Sequence, residues 1–220
     1  DGKHNGTAVF KSTNPASAFV GRADYTIISG DAGDGAMHFS IIGFRYLLYS
    51  EHATDVKVSF VDCGAMPKLA LINPGNRIEI DHCKIKINDM NGSNAVQCNF
   101  TGTTWDENSI HHCTILIPNN GSGNGVDAIA GSGIGLSLHD NIITGYIAAY
   151  TGSQHQDGWQ ALWGSYIRIF NNTFTNIANY PIFGDALLGD FNHLWIYNNV
   201  VQLTDAGIQA SNPPQGIAIG

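Results

Sequence analysis

The sequence predicts an all-β chain built as a solenoid, in which one short strand pattern recurs and successive copies stack. Three observations carry this. The composition is strand-like: hydrophobic residues make up 43% of the 220 residues, charged residues only 13%, and glycine is frequent at 26. Many Ile and Val with frequent Gly and Asn suit half-buried strands and tight turns. An octet recurs in which apolar residues alternate with others, then a polar residue and a Cys or Asn follow. Finally, the copies return at intervals of 20 to 31 residues with no helical spacer between them.

The copies run along the chain in order. A blurred one spans Phe39 to Phe44, and the next runs Val58-Ser59-Phe60-Val61-Asp62-Cys63. Then follow Ile78-Glu79-Ile80-Asp81-His82-Cys83-Lys84-Ile85 and Ile110-His111-His112-Cys113-Thr114-Ile115. Leu136-Ser137-Leu138-His139-Asp140-Asn141, Ile167-Arg168-Ile169-Phe170-Asn171-Asn172 and Leu194-Trp195-Ile196-Tyr197-Asn198-Asn199 complete the series. Anchored on 63, 83, 113, 141, 172 and 199, the steps are 20, 30, 28, 31 and 27. Period-two alternation gives each copy one buried face, with Phe60, Ile80, Ile110, Leu138, Ile169 and Ile196 as an inner column. The polar pair after each strand marks a bend, where Asn tolerates left-handed backbone angles and bonds neighbouring amides. Cys63, Cys83 and Cys113 in that column read as small, reduced core residues. Four cysteines in 220 residues make no disulfide framework.

This pattern resembles the right-handed parallel β-helix superfamily of pectate lyases, polygalacturonases and alginate or chondroitin lyases, over residues 25–205. The Ile80-Asp81-His82-Cys83 strand-turn and the paired Asn171-Asn172 and Asn198-Asn199 carry the likeness. The resemblance implies a right-handed parallel β-helix of about seven to eight coils, clearest over 39–205, forming a single domain across 1–220. Handedness also follows the general preference of parallel crossovers. The chain begins at Asp1 without a Met or leader pattern, and reads as a processed chain or a fragment.

Composition also excludes partners. The net charge is −8 with ten Lys and Arg scattered singly, so nucleic acid is not expected. No apolar run approaches a membrane span.

A second column is expected at Gln97, Asp127, Asp157 and Asp185, with steps of 30, 30 and 28. Stacked carboxylates would either share a hard cation such as Ca²⁺, held by Asp127, Asp157 and Asp185, or share a proton and supply a general acid. The alternative is that each Asp caps a turn through neighbouring amides. The segment from Ser153 to Gln160 concentrates His155, Asp157, Trp159, Gln154 and Gln160 in an otherwise apolar region. Amides for hydroxyls, an indole for a ring face and a titratable pair suit a sugar site. Arg168 is expected on the outer face with Trp195 beside it as a stacking platform. His111 and His139 should be neighbours, able to hold a transition metal if a third ligand exists.

The expected function is a secreted or cell-surface enzyme acting on an acidic polysaccharide by β-elimination. Asp157, His155, Arg168 and Asp185 are the candidate catalytic residues. Trp159, Gln160, Trp195 and Gln154 are the candidate substrate contacts, with Ca²⁺ as the one cofactor. A glycoside hydrolase using paired Asp residues is the enzymatic alternative. A non-catalytic adhesin, phage tail segment or glycan-binding module is the other. A monomer is expected, or a trimer for a phage tail segment.

Overall fold

The computed structural model describes residues 8–11, 17–20, 23–42, 44, 46–66, 68–87, 94–117, 126–145, 156–203 and 216–220. Within them the chain is all-β, without helices, and every strand pairing is parallel. Among the described residues no helix is long and apolar enough to cross a membrane.

Strands from successive repeats pair with one another rather than with their sequence neighbours. Among the described residues one sheet has eight strands, running from Ala8–Lys11 through Val61–Met66, Lys84–Ile87 and Thr114–Leu116 to Val200–Gln202. A second row, here the front sheet, is formed by Ala23–Ser29, Ala53–Ser59, the end of Lys68–Asp81, Asn108–His111, Leu136–His139, Gly164–Phe170 and Phe191–Tyr197. A third contains Tyr46–Ser50, the start of Lys68–Asp81, Val96–Phe100, Ile129–Ile134, Trp159–Ala161 and Ile182–Gly184. Lys68–Asp81 and Ile129–Ile134 turn a corner and pair on both sides of it, so the second and third rows share hydrogen bonds and close into a ring.

The inner column of the front sheet is Ile28, Val58, Ile80, Ile110, Leu138, Ile169 and Ile196, each in register with the next. Between Val58 and Ile169 these residues are at most 1% exposed. Full burial of one such side chain contributes about 1.5–3 kcal/mol. The expected first member, Phe60, is displaced by two residues: Val58 faces Ile80, and Cys63 faces Ile85 rather than Cys83. All four cysteines are buried and free.

The bend after each front strand repeats in the backbone. Phe60, His82, His112, Asp140, Asn171 and Asn198 all have φ between 47° and 54°. The next residue on the later repeats is the ladder asparagine. Asn141, Asn172 and Asn199 each accept, through Oδ1, the N–H of the equivalent residue one repeat earlier, at 2.9, 3.1 and 3.0 Å. Their Nδ2 groups donate to the carbonyls of Ile110, Leu138 and Ile169 at 2.9, 2.9 and 2.8 Å. The corner's otherwise orphaned backbone groups are thereby paired.

Candidate functional site

The front sheet alternates, so two columns of side chains project from its outer side. The first is Lys57, Glu79, Ser109, Ser137, Arg168 and Trp195; the second is Ser59, Asp81, His111, His139, Phe170 and Tyr197. Arg168 and Trp195 are therefore strand neighbours, and His111 stacks on His139 with ring centroids 4.9 Å apart. The His139, Phe170 and Tyr197 rings continue that stack at 4.8 and 5.0 Å.

At the later repeats the face becomes an aromatic platform. The loop at 101–107 is folded on Glu107, whose carboxylate accepts the N–H groups of Thr103 and Thr104 at 3.1 and 3.2 Å and the Thr103 hydroxyl at 2.6 Å. These bonds hold the Glu107 carboxyl below its usual range. Asp106, at φ 57°, bonds the Arg168 guanidinium across 62 residues of sequence. Trp105 lies 4.8 Å from Trp195, and edge-on to Tyr166 at 5.3 Å. Arg168 sits over both indoles, 5.2 Å from the Trp105 centroid and 5.9 Å from that of Trp195. Its Nε is buried without a hydrogen-bond partner. Tyr166 and His193, both at left-handed corners, stack at 4.5 Å beside the pair. Trp195 is 55% exposed, which leaves a large apolar ring facing solvent next to a cation. Sequence reasoning found Arg168 and Trp195 and missed Trp105, Asp106, Tyr166 and His193. A Trp-Asp-Glu run inside a Gly/Thr loop was the available signal.

The aspartates are placed differently from the expectation. Asp127 and Asp157 are neighbours but lie inside, 8% and 0% exposed. Asp127 Oδ1 accepts the Asp157 N–H at 3.0 Å, and Asp157 Oδ1 accepts the Tyr180 N–H at 2.9 Å. Asn94 Oδ1 does the same for the Asp127 N–H at 3.1 Å. The row is thus Asn94, Asp127, Asp157 and Tyr180, a second side-chain-to-backbone ladder. Burial, and then the neighbouring Asp157, push the Asp127 carboxyl up to about 8. Gln97 and Asp185 belong to other rows: Gln97 pairs with Ala130, and Gly184, which precedes Asp185, pairs with Ala161. Asp185 therefore lies outside the row of Asp127 and Asp157, and the two inner carboxylates are buried instead of facing solvent.

Trp159, expected as a sugar platform, is fully buried and packs edge-on against Phe191 at 6.3 Å. Gln160 does face outward, in a cavity of about 250 Å³ shared with Asn94, Gln97, Asn99 and Ser132. His155 and Gln154 lie outside the described residues. Three possible metal ligands do meet elsewhere on the front face, at Asp81, His111 and His112. No protein-family model, curated protein or solved structure matches the chain.

Proposed function

We propose that this chain is a right-handed parallel β-helix that acts outside the cell by binding an extended polysaccharide along its front face. The solenoid reading is supported by in-register parallel pairing of repeats that recur every 22 to 31 residues from Ser59 onward. The hand follows the strong preference of parallel crossovers.

The observation that carries the binding reading is the Trp105–Arg168–Trp195 platform. A pyranose presents an apolar C–H face that packs on an indole, and its hydroxyls or carboxylate suit a guanidinium. A parallel sheet of stacked repeats offers such a polymer a long track. Binding is favoured over the lyase and hydrolase readings because two of the aspartates that those reactions would use, Asp127 and Asp157, are occupied as inward backbone caps. The chain is proposed to work as a monomer.

The test is titration of the whole chain with pectate, alginate and neutral glucan oligosaccharides. Trp195→Ala should weaken binding about tenfold, the equivalent of about 1.4 kcal/mol, without lowering thermal stability, because the ring is largely exposed. Unchanged affinity in that variant would overturn the platform. Ultraviolet-absorbing products from pectate or alginate would mark a lyase, and new reducing ends without that absorbance a hydrolase; either would replace the binding-only reading.

A further inference from the structure

The Ile-Asp-His-Cys and Ile-His-His-Cys strand-turns lie on adjacent strands, with Asp81 directly beside His111. Consecutive strand residues point to opposite faces. His82 and His112 escape that rule because each sits at the left-handed bend, with φ of 47° and 51°. The bend swings each ring back to the outer side. His112 therefore comes to lie beside His111, its own sequence neighbour.

The outcome is a convergence of ligand atoms. His111 Nδ1 is 2.8 Å from His112 Nδ1 and 3.1 Å from Asp81 Oδ1, and His112 Nδ1 is 3.8 Å from the same oxygen. In a tetrahedral zinc site with bonds near 2.0–2.1 Å, ligand atoms are about 3.4 Å apart, so the three separations bracket the required value. Two imidazole nitrogens facing each other at 2.8 Å also want one shared positive centre between them, whether a proton or a metal.

The surroundings hold this arrangement. His111 Nε2 lies 3.4 Å from Glu79 Oε1, the carboxylate–imidazole pairing that orients metal-ligating histidines. The His111 ring is stacked on His139, and the His112 ring on His82 at 4.7 Å. His82 Nδ1 bonds Asp81 Oδ1, and Glu79 is fixed by Lys57 at 2.8 Å. Asp81 is largely buried whereas the His112 side chain is 47% exposed, so the cluster is open on one side.

We infer that Asp81, His111 and His112 form a site for one divalent transition-metal ion of the zinc type, with the remaining coordination position open toward solvent. Two imidazoles and one carboxylate select such an ion over Ca²⁺ or Mg²⁺, which take oxygen ligands. The open position would hold water or a ligand oxygen. The site is separate from the Trp105–Trp195 platform and does not depend on it.

The experiment is calorimetric titration of the whole folded chain with zinc chloride, alongside the visible spectrum of the cobalt(II) form. One equivalent of zinc should bind. His112→Asn should weaken binding by about a hundredfold or more, and Glu79→Gln by about tenfold. Asparagine tolerates the left-handed bend, so His112→Asn should keep its fold, as checked by circular dichroism. His193→Ala should bind as the wild type does. No zinc uptake by the folded wild type would overturn the site, as would undiminished binding in His112→Asn. A sulfur-to-cobalt charge-transfer band would also overturn it, by placing the ion on the cysteines.

Discussion

Replacing Asp127 by asparagine should remove a large part of the pH dependence of this fold. Asp127 is buried against Asp157, and its carboxyl titrates at about 8 rather than at the ordinary 3.8. The raised folded value means that the unfolded chain releases its proton first. Stability from this group is therefore complete below 3.8 and declines as pH rises, until ionisation is finished in both states above about 8. Within that window the loss approaches about 1.4 kcal/mol per pH unit. An asparagine keeps the Oδ1 that accepts the Asp157 N–H and carries no charge. Its fit is shown one repeat earlier, where Asn94 makes the equivalent bond to Asp127 N–H. The assay is urea unfolding of wild type and Asp127→Asn at several values between about pH 5 and about pH 8. The variant should gain on the wild type steadily as pH rises, reaching several kcal/mol at the upper end. Midpoints that run parallel across this range would refute the placement of an ionisable Asp127 in the core.

Three further substitutions probe the stack. Asn172→Ala removes bonds to the carbonyls of Leu138 and Phe170, to the Asn141 N–H and to both flanking ladder side chains; with these groups buried, urea unfolding should show a loss of about 3–5 kcal/mol. Asn199→Ala, at a more exposed step, should cost less in the same assay. Gly133 has φ +122°, and a Cβ there would stand 2.0 Å from the Phe100 carbonyl oxygen. Gly133→Ala should accordingly destabilise by about 3 kcal/mol or more, read as a lower thermal midpoint.

The parts that were legible in the sequence are those fixed by strand periodicity. The Ile80-to-Ile196 column, the Asn141–Asn172–Asn199 ladder, the Arg168–Trp195 pair and the His111–His139 stack all follow from aligning one octet with itself. The same periodicity explains the slip at Phe60. A period of two is unchanged by a shift of two, and Val58 and Phe60 are both apolar, so either frame fits until pairing decides. The aspartate column failed for another reason. Near-equal steps of 30, 30 and 28 suggested one row, but the chain reaches the next position of the row 23 residues after Asp157, at Tyr180. Turn lengths vary from repeat to repeat, so spacing alone carries register only where a strand pattern accompanies it. Val126 to Ile129 are buried without alternation, which hid the inward direction of Asp127. Trp105 was missed because its role depends on a contact made by its neighbour Asp106 with Arg168, far along the chain.

Paired spin labels at Lys84→Cys and Thr114→Cys test the in-register stacking most directly. These positions are exposed register partners on adjacent strands, 30 residues apart in sequence. Selective labelling is possible because the four native thiols are buried, and burial pushes those of Cys63, Cys98 and Cys113 above their usual range. Neighbouring strands lie about 4.8 Å apart, so the pair should show strong dipolar broadening. A pair at Lys84→Cys and Ile142→Cys, two strands apart, should show weaker broadening. Spectra of the 84/114 pair that equal the sum of the single labels would contradict the stacking and every site built on it.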